Sequence, residues 1–315
     1  MIRKRGLVIA AVAVGLALPV AALADLTVKE QTQMSGMMGM LSSKGTETTY
    51  IKGGKMRTES QTEMGGAMAG MVQGANGSKT VEMIAITRLD KGVLWLVDSS
   101  DSTYVETSLK GEAGEASGQV KVKDVTVKKT GATKEIVGYK CEGVEVAIAL
   151  EVTMGEGDEG GTQTHNIKTL FWMRPEVKGL EELRNFWDQM VDIVRVSQRG
   201  SPMADALGPL FAKVKEIQGV PLGMEMTMAN PMAAAAGDAD QAEVKEAMRM
   251  VQQMMKQQGK ASDDEPAADD SGDIKVIRQV ISISRGALSD GLFEVPGGYR
   301  KTTRSMPQMM KGMGE

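Results

Sequence analysis

Methionine is the residue type whose number and spacing offer the clearest chemistry in this chain. The 315 residues include 26 methionines, compared with 3 Trp, 4 Tyr and 4 Phe, and many of the methionines are clustered. Thioether sulfur is a soft, uncharged ligand that selects Cu(I), and one flexible segment can supply several such ligands. The clusters therefore offer a candidate site for Cu(I) or Ag(I), with these ligands: Met34, Met37, Met38, Met40, Met306, Met309, Met310 and Met313.

A packing role explains the same methionines without a metal. The side chain is unbranched and polarizable, so it suits adaptable apolar surfaces such as a cavity that accepts varied lipids. Met248 and Met255 lie on the apolar stripe of a predicted helix, which favours packing over ligation. Sacrificial oxidation to the sulfoxide is a third alternative.

The other residues that carry chemistry are too few for the common catalytic and metal sites. The chain has one Cys and one His, whereas a zinc site, a haem motif or a disulfide framework needs several such residues. Cys141 is predicted to be a small buried side chain, with pairing to another chain as the alternative, and His165 to have a solvated structural role. Because no carboxylates show a pairing suited to acid–base catalysis, we expect a protein that is not an enzyme and has no cofactor.

Two acidic, glycine-containing segments have a solvated loop as their simplest interpretation. Residues 155–160 match G-x-G-x-x-G, but their carboxylates would repel a pyrophosphate and a predicted strand, rather than a helix, follows. Residues 259–272 are too poor in apolar side chains to offset their ordering entropy, and we expect a mobile acidic loop there. Weak Ca²⁺ binding is the alternative for both segments.

The first 24 residues have the order of a secretory signal. A positive start at Arg3, Lys4 and Arg5 is followed by an apolar stretch over 7–18 and a small-residue cleavage site ending at Ala24. Retention as a membrane anchor is the alternative, which Pro19 disfavours. We expect a periplasmic or otherwise secreted protein with no membrane span after cleavage. The net charge of -4 argues against nucleic acid as a partner.

Residues 25–174 show the pattern of an antiparallel meander. Gly53 and Gly54 separate the predicted strands 46–52 and 55–63, which is a hairpin signal. Further strands are predicted at 81–90, 93–98 and 103–107. The clearest alternation places Val144, Val146, Ile148, Leu150 and Val152 on one apolar face, which another element must cover.

A helical insertion over 175–258 is predicted to cover that face. Its first helix presents an apolar stripe of Leu180, Leu183, Trp187, Met190, Val191 and Val194, and its second one of Met203, Leu207, Leu210, Phe211 and Val214. A strand at 220–228 and a third helix at 240–258 complete the insertion. Strands return over 273–300 with 274–284 and a closing hairpin built from 292–295 and the glycines that follow. We therefore expect one domain over 25–300, and a flexible, methionine-rich tail over 301–315.

Four segments occur in an order that resembles one known family. They are residues 50–57, residues 88–95 followed by Thr103-Tyr104, residues 136–142 and residues 293–299. Their order resembles the family of domain of unknown function 4412, and more distantly the periplasmic lipoprotein carriers and receptors of the LolA/LolB type. The resemblance implies an α+β half-barrel: a curved, incomplete antiparallel barrel whose concave face is covered by inserted amphipathic helices, with a hydrophobic cavity between the layers.

The function expected from this fold is the non-enzymatic binding of a lipid or another apolar ligand outside the cytoplasm, including the handling of envelope lipids or lipoproteins. The residues expected to line the site are Trp95, Val144, Val146, Ile148, Leu150, Leu183, Trp187, Met190, Leu207 and Phe211. Two alternatives remain open. One is Cu(I) or Ag(I) binding by the methionine clusters, and the other is an envelope scaffold that contacts a protein partner.

Overall fold

A single antiparallel sheet and one helix make up most of the structure that is described. The computed structural model describes residues 25–36, 41–65, 80–109, 119–154, 161–176, 178–197, 213, 217–229, 250 and 273–303. The strands are β1 (Leu26–Gly36), β2 (Leu41–Lys52), β3 (Lys55–Gly65), β4 (Thr80–Arg88), β5 (Val93–Asp98), β6 (Thr103–Ser108), β7 (Gln119–Ile136), β8 (Tyr139–Met154), β9 (Gly161–Arg174), β10 (Val220–Met228), β11 (Ile274–Arg285) and β12 (Arg300–Lys301).

Two meanders meet in the middle of the sheet. The strand order is β12-β6-β5-β4-β3-β2-β1-β11-β10-β9-β8-β7, so the first meander runs outward from β1 and the second runs inward from β7. The junction is the antiparallel pair of β1 with β11, in which Leu26 lies opposite Arg285. Every neighbouring pair is antiparallel except the short β12, which runs parallel to β6. The predicted antiparallel architecture is therefore present.

The turn between β2 and β3 confirms the hairpin signal at the paired glycines. Lys52 and Lys55 are the last register partners of the two strands, and Gly53 adopts a φ of 55°. A side chain strongly disfavours this left-handed conformation, so the sequence uses a residue without Cβ. The strand at 220–228 is likewise found as predicted, as β10.

The α-helix that is described over its length, α1 (Glu181–Ser197), packs into the curve of the sheet. Glu181 and Glu182 in its first turn interact favourably with the positive end of the helix dipole. Leu180, Leu183 and Phe186 follow each other at helical spacing and are all buried. Together they form the face that α1 presents to the strands.

One core cluster shows how strongly the sheet is curved. Ile136, at the end of the edge strand β7, and Ile51, on β2, both belong to the cluster that packs around α1. These strands are separated by five others in the sheet order, so the sheet must bend around the helix to bring them together. The cluster consists of Leu26, Val28, Ile51, Ile136, Cys141, Leu180, Leu183, Phe186, Val220, Leu222 and Val280. The result is a curved, unclosed sheet with a helix in its concave side.

The prediction of a closing hairpin after β11 is wrong. Asp290–Phe293 forms a short 3₁₀ helix, in which Ser289 caps the first turn by accepting a hydrogen bond from the Gly291 N–H. Phe293 is fully buried beneath this turn. Burial of this side chain favours the compact 3₁₀ turn over the extended strand of a hairpin. The chain then returns as β12 against β6, where the Thr302 N–H donates to the Tyr104 carbonyl at 2.8 Å.

The expectation of several helices over the concave face is supported for one helix only. Of the second and third predicted helices, Lys213 and Met250 fall within the described residues, each in helical conformation. The predicted signal sequence, the acidic segment over 259–272 and residues 304–315 lie outside them. Among the helices that are described, none is long and apolar enough to cross a bilayer.

Candidate functional site

A cavity of about 400 Å³ lies between α1 and the concave face of the sheet. This volume falls within the range of roughly 300–1,000 Å³ that is typical of small-molecule sites. Strands β1, β2, β3, β9, β10 and β11 form one wall, and α1 with the segment before β10 forms the other. The lining residues are Val28, Glu30, Glu47, Thr49, Met56, Thr58, Phe171, Met173, Leu183, Arg184, Trp187, Asp188, Ile217, Gly219, Val220, Pro221, Gly223, Met224, Arg278 and Val280.

Strand pairing brings the lining side chains of the sheet to one face. Val28 lies opposite Thr49, and Thr49 lies opposite Thr58, so β1, β2 and β3 contribute one row. Met224 links a second row, because it lies opposite both Arg278 of β11 and Phe171 of β9. Since residues directly opposite each other in a ladder share a face, each row points into the cavity as a unit.

The helical wall contains two of the residues that the sequence predicted for the site. Leu183 is buried on the cavity wall, whereas Trp187 lines the cavity but remains 43% exposed, which places it at the mouth. Phe186, which was not predicted, supports this wall from the core: it is fully buried and contacts Trp187 edge-to-face at 6.1 Å between ring centroids. The available signal was its spacing of three residues from Leu183.

Arg184 ties the helical wall to the segment that precedes β10. Its guanidinium donates to the backbone carbonyls of Gly219 at 2.7 Å and Ile217 at 3.4 Å. The same group forms an i,i+4 ion pair with Asp188 at 3.0 Å. Because Ile217 and Gly219 also line the cavity, these bonds hold two walls at a fixed separation.

A charged cluster interrupts the otherwise apolar lining. Arg278 of β11 donates from Nε to Glu30 of β1 at 2.9 Å, and its Nη2 contacts both Glu30 and Glu47 of β2. Burial raises the pKa of Glu47 above its usual value, the charge of Arg278 opposes this shift, and the nearby Glu30 adds to it. None of the three residues was predicted for the site, since they come from separate parts of the chain and form no motif.

Other residues predicted for the site lie beside the cavity or away from it. Val144 and Val146 are buried in a second core cluster with Met173 and Ile217, which both also line the cavity. Ile148 packs against this cluster, and Leu150 is half-buried on the same strand. The predicted apolar face of β8 therefore adjoins the cavity.

Trp95 lies in a different part of the sheet. It packs with Ile86 and Val97 in a third core cluster, and its Nε1–H donates to Glu106 at 2.8 Å. The side chain of Met190 and all of Leu207 and Phe211 fall outside the described residues. The structure thus assembles the cavity from α1, β9, β10 and β11 together with β1 to β3.

Few of the candidate metal ligands fall within the described residues. Met34 lies on β1 opposite Ser43, and Met64 lies opposite Ser43 from the other side, so the two flank β2 on one face. The remaining candidates, Met37, Met38, Met40, Met306, Met309, Met310 and Met313, lie outside the described residues. Within the described part of the chain, His, Cys, Asp and Glu side chains form no group of three that could hold a metal ion.

Cys141 is fully buried in the core around α1, in agreement with its predicted packing role. Burial raises the pKa of its thiol, while Arg174 and Lys134 act in the opposite direction. Its Sγ lies 3.6 Å from the Tyr139 carbonyl oxygen. A buried thiol with a raised pKa has little thiolate character and is a poor nucleophile. His165 lies on β9, opposite Leu150 in the register.

Comparison with known proteins supports the family resemblance for part of the chain. The model of the family described as domain of unknown function 4412 matches residues 32–154, which extend from β1 to the end of β8. A crystal structure of a domain proposed to be an outer membrane lipoprotein-sorting protein, from Vibrio parahaemolyticus, is similar over 87% of this chain and 91% of that chain. Its identity of 7% and TM-score of 0.29 are too low for this likeness to bear on function. No match is found among curated proteins.

Proposed function

We propose that this protein is a non-enzymatic, extracytoplasmic binding protein that holds a lipid or another apolar ligand in the cavity between α1 and the sheet. The observation that carries the proposal is the cavity itself, which is about 400 Å³ in volume. Its walls are formed mainly by apolar side chains from both layers, including Val28, Phe171, Leu183 and Val280.

The chemistry of the lining favours an apolar ligand. Burial of apolar surface contributes about 25 cal/mol per Å², so affinity should grow with the length of the buried chain. Met56, Met173 and Met224 line the cavity, and their flexible thioether side chains can adapt to ligands of different shape. A carrier of varied lipids needs this adaptability more than it needs a fixed set of polar contacts.

The cavity is also held open by polar contacts around it. The bonds from Arg184 to the carbonyls of Ile217 and Gly219 connect α1 to the start of β10. The carboxylate of Glu181 accepts hydrogen bonds from the Gly179 N–H and fixes the beginning of the helix. A site that is formed before binding loses less conformational entropy when the ligand enters.

The extracytoplasmic location rests on the signal-like sequence over residues 1–24. Expression of the full chain in a Gram-negative host, followed by cell fractionation and N-terminal sequencing, tests it. A mature protein that begins at Asp25 in the periplasmic fraction is expected. Retention of the intact chain in the cytoplasm would contradict this part of the proposal.

The binding function is tested by extraction and by titration. We expect organic extracts of the purified mature protein to contain a co-purified lipid detectable by mass spectrometry, and the delipidated protein to bind a fluorescent acyl-chain probe. Thr58→Phe fills the cavity and should weaken probe binding at least tenfold. Thr48→Phe is the matched control, because Thr48 points to the other face of the neighbouring strand β2.

Two results would contradict the binding function. One is a protein that is empty after purification and does not bind the probe. The other is probe binding by a folded Thr58→Phe variant that is as tight as that of Thr48→Phe, because it would show that the probe binds outside the cavity. Circular dichroism spectra of both variants show whether the sheet is intact.

Soft-metal binding by methionine is a second candidate function, which the strand register favours. Met34 lies opposite both Ser43 of β2 and Val276 of β11, while Met64 and Met226 lie opposite those two residues from the outer side. Three methionines therefore stand in one row on alternate strands, with backbones about 10 Å apart between successive methionines, so an ion could be shared by Met34 and one neighbour. Competition with a colourimetric Cu(I) chelator tests the candidate, and unchanged metal affinity after replacement of Met34, Met64 and Met226 by Leu would reject this row as the site.

A further inference from the structure

The charged groups that line the cavity do not balance one another. The lining contains the guanidiniums of Arg184 and Arg278 and the carboxylates of Glu30, Glu47 and Asp188. Arg184 is paired with Asp188 on the helix. The remaining cluster on the sheet sets one guanidinium against two carboxylates, and it carries an excess negative charge when both carboxylates are ionised.

Two carboxylate oxygens of this cluster have capacity for a further hydrogen-bond donor. Arg278 contacts Oε2 of Glu30 and Oε1 of Glu47, and the Thr49 hydroxyl donates to the same Oε1 of Glu47 at 3.4 Å. Among the described residues, no nitrogen donor contacts Oε1 of Glu30 or Oε2 of Glu47, and the two carboxyl groups can hydrogen-bond to each other only when one of them is protonated. An ionised carboxylate accepts hydrogen bonds at both oxygens, so each glutamate can accept a bond from a ligand.

The environment of the two glutamates makes an additional cation favourable. Their side chains are only 15% and 23% exposed, for Glu30 and Glu47 respectively. Burial and the proximity of Glu30 both raise the pKa of Glu47, and the charge of Arg278 offsets this shift only in part. A second positive charge between the carboxylates would offset both effects.

We propose that the ligand of this cavity carries an ammonium group, which binds between Glu30 and Glu47 while its apolar part lies against Val28, Val280 and Phe171. This inference rests on the proposed binding function and adds the chemistry of the head group to it. The ammonium donates hydrogen bonds to the two unoccupied carboxylate oxygens, and Arg278 keeps its existing contacts. A single-chain amine and the ethanolamine head of a lipid share this chemistry.

An anionic head group fits the same cluster poorly. A fatty acid carboxylate, or a phosphate that carries no ammonium group, would approach two glutamates and would have to compete with them for Arg278. The guanidinium of Arg184 is a weaker alternative, because its charge is paired with Asp188 and its Nε and Nη1 already donate to Asp188 and to two backbone carbonyls. The cavity therefore discriminates between amphiphiles of equal chain length by the charge of the head.

The experiment compares head groups on one chain length with the delipidated mature protein. Isothermal titration calorimetry, below the concentration at which the probes aggregate, measures the binding of dodecylamine, dodecanol, dodecanoate and dodecyltrimethylammonium. We expect the affinity for dodecylamine to be at least about tenfold higher than that for dodecanol, because a hydrogen bond to a charged group contributes a gain of this size. Dodecyltrimethylammonium, which cannot donate a hydrogen bond, should bind more weakly than dodecylamine.

A matched pair of variants assigns the effect to the cluster. Glu47→Gln removes one negative charge at nearly constant shape, and it should reduce the preference for dodecylamine over dodecanol to about threefold or less. Glu63→Gln makes the same change at an exposed position on β3, outside the cavity lining, and should leave the preference intact. Lysophosphatidylethanolamine and lysophosphatidylcholine then separate the two sources, because only the former adds a donating ammonium to a phospholipid head.

The outcomes separate the head-group inference from the binding function. Equal binding of dodecylamine and dodecanol, or tighter binding of dodecanoate, overturns the ammonium inference and leaves the cavity as an apolar site. An unchanged preference in Glu47→Gln overturns it as well. Failure of all four probes to bind overturns the inference together with the proposed binding function.

Discussion

Arg278 of β11 reaches past β1 to contact Glu47 of β2, so that two residues two strands apart share one ion pair inside the cavity. Glu30 of β1 lies between them and contacts the same guanidinium. This arrangement crosses the junction between the two meanders of the sheet. The cluster therefore has two roles, which single substitutions can separate. It joins the two meanders of the sheet, and it is the proposed contact for the ligand's head group.

The first prediction concerns the pH dependence of stability at Glu47. A carboxyl whose pKa is raised in the folded state binds more protons when folded than when unfolded, so it lowers the free energy of unfolding as pH rises through the interval above its usual pKa. Glu47→Gln lacks this titration, and Arg278 keeps its pair with Glu30. We expect the variant to gain stability relative to the wild type between pH 4 and pH 7, which urea unfolding at several pH values measures.

The comparison has a built-in control, because all other titrating groups are common to both proteins. Below about pH 4, where the usual glutamate is protonated, the stability difference should become constant. A variant that instead loses stability relative to the wild type as pH rises to 7 would mean that ionised Glu47 stabilises the fold, contrary to the expectation.

The second prediction concerns the connection between α1 and β10. Arg184→Met removes the donors to the carbonyls of Ile217 and Gly219 and should lower the free energy of unfolding by about 2 kcal/mol. Asp188→Asn breaks only the partly exposed i,i+4 pair and should cost less than about 1 kcal/mol. Urea denaturation distinguishes these values. Equal losses in the two variants would indicate that the carbonyl contacts contribute little.

The third prediction concerns Gly219, which lines the cavity at a φ of 97°. A Cβ at this position would lie 2.2 Å from the carbonyl oxygen of Arg174, so Gly219→Ala must displace backbone. We expect a loss of at least about 3 kcal/mol, whereas Gly53→Ala, with a φ of 55° and nothing within 4 Å of its added Cβ, should lose about 1 kcal/mol. Thermal unfolding of the two variants tests this order, and a smaller loss at Gly219 would contradict the close approach.

The fourth prediction concerns acid sensitivity at the turn after β4. Two hydrogen bonds from Arg88, at 2.6 and 2.8 Å, lower the pKa of Asp90 to about 2. A depressed carboxyl pKa gives stability that is present above the usual pKa and is lost as pH falls through the folded value. Because Asp90 is 45% exposed, we expect a contribution of about 1 kcal/mol.

Asp90→Asn should therefore be less stable than the wild type at pH 6, and the difference should decrease between about pH 4 and pH 2. NMR titration of the Asp90 carboxyl measures its pKa directly. A value near that of an unperturbed aspartate would show that the Arg88 contacts do not persist in solution.

The fifth prediction separates the core of the helix from the mouth of the cavity. Phe186→Ala removes a fully buried ring and should cost about 3–5 kcal/mol. Trp187 is largely exposed, so Trp187→Ala should cost less than half as much while weakening probe binding. If Trp187→Ala leaves probe affinity unchanged, the tryptophan does not contact the ligand.

Local patterns were sufficient to predict most of the strands and one helix. The glycine pair at residues 53–54, the alternation on β8 and the spacing of Leu180 and Leu183 each depend on contacts within a short segment, and all three elements are found. The hairpin predicted from residues 292–295 and the following glycines is not found, because the sequence shows neither the burial of Phe293 nor the partner strand β6. The conformation of that segment is therefore determined by tertiary contacts.

The charged cluster could not be predicted from the sequence for a related reason. A pattern argument assigns apolar residues of β11 to the interior, yet Ile277 and Ile281 are 43% and 47% exposed while Arg278 faces the cavity. Its partners come from β1 and β2, near the other end of the chain. Only the pairing of β1 with β11 brings these groups together, and no local spacing encodes that pairing.

The same pairing has a consequence for how the chain acquires its fold. Leu26 is synthesised long before its partner Arg285. The seam between the two meanders therefore cannot close until β11 has been made. Contacts so distant in sequence slow folding, since a long loop must be closed before they form. The hairpins within each meander are local, whereas the cavity, which spans the seam, can form only after β11 has been made.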